Sequence, residues 1–325
     1  MSTRREFLKA TGKLGFGAIL GGVSCDVMAA MAPPRANATP RVLKLTIKDP
    51  TAFRILQVTD LHLIEEGYRL DHSIIDRIGK IVARFKPDII VNTGDFWGTN
   101  SLNAFQRSCQ AFAELRTPWA FAWGNHDEAP DYNQFHTALE KTPYLLYSGA
   151  ADGNYRIEVQ AKTDNSPLWN LIVMNNSRGG FRADQIDWFK AEAERIKHGA
   201  AKVPPAFLFF HVPLPQYGDL VTSRKAIGAW FEPVCDEDGS REALTAFRNA
   251  GFVKATFCGH DHTNDFHGVV DGIWLQYGRS AGGSGHPKVP KGGTLITVDT
   301  TKQTFAVQSV LPDGSAITYD TLMAE

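Results

Sequence analysis

Ile55-Leu56-Gln57-Val58-Thr59-Asp60-Leu61-His62 opens as a short apolar segment and closes on an acid and an imidazole two positions apart. The pattern returns in Ile89-Ile90-Val91-Asn92-Thr93 before Gly94-Asp95, and in Ala120-Phe121-Ala122-Trp123 before Gly124-Asn125-His126-Asp127. It returns again in Phe207-Leu208-Phe209-Phe210 before His211, and in Ala255-Thr256-Phe257-Cys258 before Gly259-His260-Asp261-His262. Apolar runs of this length read as buried strands. Strands ending on a common sheet edge bring the residues that follow them to one place. Asp60, His62, Asp95, Asn125, His211, His260 and His262 then make a donor set large enough for two metal ions that share a carboxylate. In an extended segment the pair Asp60 and His62 faces one side, so both reach one ion.

Helical patterns lie between these strands. Ile74, Ile75, Ile78, Ile81, Val82 and Phe85 recur at helical spacing, as do Phe105, Cys109, Phe112 and Leu115. Asp184 to Ile196 carries Ile186, Trp188, Phe189 and Ala193 on one side. Alternating strand and helix implies an α/β core, with Val42 to Ile47 as an edge strand. Further on, Tyr155–Val159, Leu168–Met174, Gly268–Tyr277, Thr294–Val298 and Phe305–Leu311 read as strands with few helices between them. They predict a second, more antiparallel sheet. Because the donors run from residue 60 to residue 262, residues 41–325 are expected to form a single domain.

Composition is ordinary for a globular chain, with 43% apolar and 21% charged residues. The net charge of −1 becomes −4 once the five basic and two acidic residues of positions 1–38 are set aside. No basic surface for nucleic acid is implied. Thr3-Arg4-Arg5-Glu6-Phe7-Leu8-Lys9, followed by the weakly apolar stretch Leu14 to Val23, looks like a twin-arginine (Tat) export signal. That stretch is too short for a bilayer span, which needs roughly 20 residues. Residues 1–38 are therefore expected to be signal and linker, with cleavage after Ala38 or Ala30, the Tat machinery as partner and the periplasm as destination. Gly22-Val23-Ser24-Cys25 loosely resembles a lipoprotein box, but Gly22 replaces the expected Leu, which argues against a lipid anchor at Cys25. Cys109, Cys235 and Cys258 are an odd number, and no disulfide framework is expected.

The five groups, in this order, resemble the calcineurin-like metallophosphoesterase family over most of residues 53–285. Asp184-Gln185-Ile186-Asp187-Trp188-Phe189, Phe210-His211-Val212-Pro213-Leu214-Pro215-Gln216-Tyr217 and Gly259-His260-Asp261-His262-Thr263-Asn264-Asp265-Phe266 resemble its purple-acid-phosphatase-like branch. The resemblance implies a four-layer α/β/β/α sandwich of two mixed β-sheets flanked by helices, with metals at the strand C-terminal ends. It assigns Asp60, His62 and His262 to one ion, Asn125, His211 and His260 to the other, and Asp95 to both. His126 would stand beside the leaving group as general acid, with Asp127 steering its ring. Asn125, Arg279 and His286 are the expected substrate contacts, Arg279 through its planar fork or else as a structural ion pair. Purple acid phosphatases carry a ferric-ligating Tyr three residues after the bridging Asp; Gly98 stands there, so neither purple colour nor an obligatory ferric ion is expected.

Mixed imidazole and carboxylate donors favour Fe, Mn, Zn or Co, as divalent or mixed-valence pairs, over Ca or Mg. Such ions orient a phosphate and lower the pKa of bound water from 15.7 to about 7. The expected activity is hydrolysis of small phosphate monoesters by metal-bound hydroxide. A phosphodiesterase acting on nucleotides or lipid headgroups is the alternative, and a non-catalytic metal- or phosphate-binding protein the third reading. Outside the donor set, His72, His136 and His198 read as surface residues, Phe96, Trp97 and Cys258 as core, and Asp261 as structural.

Overall fold

Three parallel strands carry the chain toward the site: β2 (Phe53–Val58), β3 (Ile89–Thr93) and β4 (Trp119–Ala122). They form a six-stranded sheet with β12 (Gly293–Asp299), β13 (Thr304–Val310) and β14 (Ala316–Ile317), in the order β14-β13-β12-β2-β3-β4. The computed structural model describes residues 42–323 except 65–68, 99, 200 and 284. Residues 1–38, where an export signal is expected, and Cys25 among them lie outside the described residues.

The second sheet has nine strands. Its centre is β5 (Tyr155–Ala161), β6 (Pro167–Val173), β7 (Ala206–Phe209) and β9 (Val253–Cys258), with β1 (Leu43–Ile47) at one edge. Beyond β9 lie β11 (Ile273–Tyr277), β10 (Asp265–Val270), β8 (Ile227–Ala229) and β15 (Leu322–Met323), giving β1-β5-β6-β7-β9-β11-β10-β8-β15. Strands β6, β7 and β9 are mutually parallel, whereas β5 with β6 and β10 with β11 are antiparallel. Both sheets are thus mixed.

Side-chain alternation sets the layers. In β7, Phe207 and Phe209 face the core between the sheets, whereas Ala206 and Leu208 face a second core under helices. That second core is closed by α4 (Ala183–His198), α5 (Pro215–Thr222) and α6 (Glu242–Ala250). On the far side α1 (His72–Phe85) and α2 (Leu102–Ala113), with α3 (Tyr132–Glu140), cover the six-stranded sheet. Helix α1 starts where Asp71 accepts from Ser73 N at 2.9 Å, and it buries Ile74, Ile75, Ile78 and Ile81. The four-layer α/β/β/α sandwich follows from these two cores.

Two sequence expectations change. Gly268–Tyr277 is not one strand: Asp271 and Gly272, at φ of 51° and 80°, fold it into the β10–β11 hairpin. Consecutive left-handed residues suit the twist of a two-residue hairpin. The later strands also do not form a sheet of their own. The β12–β13 hairpin joins β2 in the six-stranded sheet, while the early strand β1 pairs with β5 in the other.

Candidate metal centre

Every donor stands just past a strand end, where the chain turns out of its sheet. Asp60, His62, Asp95 and His260 have φ of 54°, 46°, 51° and 89°. Such left-handed backbone costs about 1–3 kcal/mol per residue with a β-carbon and persists only where the surroundings enforce it. Here the two loops are zipped together: Asp60 N donates to Gly94 O at 3.1 Å, His62 N to Asp95 O at 2.9 Å and Leu63 N to Phe96 O at 3.0 Å. A β-carbon on Gly94, whose φ is 96°, would fall on the His211 ring, and one on Gly124 would fall on Asp95 N. Close approach therefore requires the glycines before Asp95 and Asn125.

The side chains gather in two groups. Asp60, His62, Asp95 and His262 each offer a donor atom, all within 4.8 Å of one another, and the Nε2 atoms of His62 and His262 face each other at 3.2 Å. In the other group Asn125 Oδ1 lies 2.9 Å from His211 Nε2 and 3.0 Å from His260 Nδ1, and these two ring nitrogens are 3.2 Å apart. Asp95 joins them, with Oδ2 3.5 Å from His62 Nε2 and Oδ1 3.3 Å from His211 Nε2. Its buried Oδ2 receives no hydrogen bond among the described residues. Converging ring nitrogens around an unsatisfied carboxylate oxygen fit a transition-metal site. His211 Nδ1 faces Thr93 O at 2.7 Å, which places its proton there and leaves Nε2 as the donor.

Charge points the same way. Burial, with the Asp95 charge, pushes the Asp60 carboxyl up to about 6 against the pull of His211. Burial also works to raise Asp95, but His211, His62 and His126 outweigh it and hold Asp95 well below the usual carboxylate range. For His211 burial works downward, yet Asp95 and Asp60 prevail and lift the ring to about 9. Asp127 and Asp261 are raised as well, to about 8 and about 7, mainly by burial. A cage of buried acids gains stability from a bound cation. An ion present at 100 times its Kd stabilises by about 2.7 kcal/mol. Chelation is therefore expected to lower the Tm; an unchanged melting curve, once elemental analysis verifies metal removal, would count against the site.

His126 occupies the mouth. It and Asn125 are exposed, whereas Asp60, Asp95, His211 and His260 are buried. Its backbone N donates to Asp95 Oδ1 at 2.9 Å, and its ring lies 5.3 Å from the His62 ring.

Asp127 does not steer the His126 ring. Its Oδ1 accepts from Phe96 N at 2.7 Å and Trp97 N at 3.2 Å, and its Oδ2 from Gly124 N at 2.8 Å. It pins the Asp95 loop instead. Arg279 is likewise not a substrate contact. It is fully buried, paired with Asp265, and donates to Tyr319 Oη and Pro290 O, both at 2.6 Å. Arg279→Ala would leave Asp265 buried without its partner, which typically costs about 3–5 kcal/mol. Denaturant titration should show a loss of that size, whereas intact stability with a raised KM would restore the substrate role.

His286 stacks on Phe231 with ring centroids 4.2 Å apart. His72 and His198 are exposed as expected, but His136 is buried, its Nδ1 2.6 Å from Tyr147 Oη. Phe96, Trp97 and Cys258 are core residues, and Asp261 accepts from Cys235 N at 3.0 Å and from Tyr277 Oη. Asn176 was missed by the sequence reading. Its Oδ1 accepts from His211 N and Val212 N at 3.1 and 3.0 Å, and its amide donates to Val212 O at 2.7 Å. The signal was present: Asn176 also follows a strand end, after β6.

Residues 53–264 match the family described as Calcineurin-like phosphoesterase. The chain belongs to this family. Among its relatives is "Probable inactive purple acid phosphatase 29" of Arabidopsis thaliana, 26% identical, with 84% of this chain and 83% of the relative covered. Another is the 3',5'-cyclic adenosine monophosphate phosphodiesterase CpdA of Escherichia coli, 24% identical over 68% of this chain and 74% of that protein. A dimetal phosphatase of Danio rerio shares the fold of this phosphoesterase at a TM-score of 0.58 and 13% identity, covering 84% of this chain and all of that one. Among the described residues no helix is long and apolar enough to cross a membrane.

Proposed function

We propose that this phosphoesterase is an exported hydrolase of small phosphate monoesters, using two divalent or mixed-valence transition metal ions. One observation carries the reading: seven donors from five strand ends converge in two groups that share Asp95, with His126 at their open side. When bound, the ions would supply Lewis-acid charge and an activated water. Asp60, His62 and His262 would hold one, Asn125, His211 and His260 the other. Asp60 is itself held by His260 N, which donates to its Oδ1 at 3.1 Å. His126 would pass a proton to the leaving oxygen, and its backbone N–H, donating to Asp95 Oδ1, would hold the residue at the mouth of the centre. The exposed Asn125 amide and His286 are the remaining substrate contacts in this reading.

The name of the E. coli relative supports a second reading, a phosphodiesterase acting on nucleotides or lipid headgroups. The plant relative's "inactive" label belongs to that protein; in this chain the whole donor set and His126 are present. Rates on an aryl phosphate and a bis-aryl phosphate, measured on metal-loaded protein, decide. Faster monoester turnover is expected; a clear diester preference would replace it with the second reading, and no turnover of either ester would leave a binding protein. The twin-arginine motif supports passage through the Tat machinery to the periplasm. Cell fractionation of an Arg4→Lys, Arg5→Lys double variant should find the protein retained in the cytoplasm.

A further inference from the structure

The loop between β8 and α6 reaches into the centre at one point. His260 turns Nδ1 toward Asn125 and His211, and its opposite nitrogen, Nε2, lies 3.3 Å from Glu237 Oε1. Glu237 and Asp238 are consecutive left-handed residues, at φ of 52° and 58°. Asp tolerates that region through its short polar side chain, but Glu has no such local reason. The loop is nevertheless fastened in this shape. Cys235 N donates to Asp261 Oδ2 at 3.0 Å, Gly239 N to Asp236 O at 2.8 Å and Ser240 N to Phe181 O at 3.1 Å. The fastening aims a carboxylate at the far edge of a donor ring.

A neutral imidazole carries one proton, and the nitrogen that holds it cannot bind a metal. We propose that Glu237 is a positioning residue: by accepting the Nε2 proton of His260 it fixes the tautomer that leaves Nδ1 free for the second metal ion. The inference rests on the dinuclear reading and extends it to ion retention. The role would match that of the Thr93 carbonyl on His211, but the acceptor is charged, stands at ion-pair distance from a buried Nε2 rather than in a formed hydrogen bond, and lies at the rim, the Glu237 side chain being 41% exposed. Cys235 stands beside it, its Sγ 3.6 Å from Glu237 Oε1, so Cys235, Glu237 and His260 could instead be read as donors to an ion of their own.

The test uses the full chain loaded with zinc, comparing wild type with Glu237→Ala, Glu237→Gln and Cys235→Ser. Elemental analysis gives the ion count, and competition with a chromophoric chelator gives the affinity of each ion. Loss of such a partner typically weakens metal binding roughly 10–100-fold. Glu237→Ala should weaken one of two ions by that factor and leave the other as in wild type. Glu237→Gln, whose amide oxygen still accepts, should recover part of the loss, and Cys235→Ser should match wild type. The Tm of the metal-free variants should equal that of the metal-free parent, which separates positioning from folding. Two ions held equally well by Glu237→Ala and wild type would overturn the proposal alone. A third ion lost on Cys235→Ser would overturn it in favour of a separate Cys–Glu–His site. Wild type that binds no zinc would overturn both the proposal and the dinuclear reading.

Discussion

Asp95→Ala should lose metal and nearly all activity together. The carboxylate has two jobs in the geometry. Its oxygens reach both donor groups, at 3.5 Å from His62 Nε2 and 3.3 Å from His211 Nε2, and its Oδ1 also accepts from His126 N. One substitution thus removes the shared ligand and loosens the residue proposed as acid. Metal ions contribute several kcal/mol of transition-state stabilisation, and each 1.36 kcal/mol is a decade of rate, so kcat/KM should fall about 10³-fold or more. Asp95→Asn separates the jobs. The amide oxygen can still accept from His126 N but is a poor bridge, so metal content should fall with the His126 tie kept. Both variants should also lower the Tm of the metal-free protein, because Asp95 is the buried partner of His211 and His62, a loss only partly offset by relief of its repulsion of Asp60 and Asp127. Full turnover by Asp95→Ala would sink the dinuclear reading.

The strand-end donors were legible in the sequence because two physical demands coincide there. A parallel strand covered on both faces must be apolar throughout, as Ile89–Val91 and Ala120–Trp123 are, and a site at its end must turn polar at once. Sheet membership was not legible. The β12–β13 hairpin pairs with β2, far away in sequence, and no local pattern in Thr294–Val298 says which sheet it will meet. The Asp271-Gly272 turn could have been found, since Asp-Gly between apolar runs favours a hairpin. Arg279 shows the opposite limit. A cation in a glycine-rich segment reads equally as a phosphate clamp or as a structural ion pair, and only its burial against Asp265 decides for the pair. Asp127 misled for a similar reason. The family resemblance made it a partner of the His126 ring, but its oxygens are spent on three backbone N–H groups, which no residue pattern displays.

The second large effect is expected at His126, and its size should depend on the substrate. Proton donation helps only as far as the leaving oxygen needs a proton. An aryl phosphate with an acidic phenol leaves unaided, so His126→Ala should slow it little. An alkyl phosphate expels a strongly basic alkoxide, and there the loss should approach the roughly 10²–10⁴-fold that general acid catalysis supplies. A plot of log kcat/KM against leaving-group pKa should therefore be steeper for the variant than for wild type. Metal content should stay the same in both, because His126 belongs to neither donor group and meets the centre through its backbone N–H, which Ala retains. A uniform loss across all leaving groups would point to phosphate binding by the ring instead. Equal activity on the alkyl ester would remove His126 from the chemistry, and the proton would then have to come from solvent at the exposed mouth.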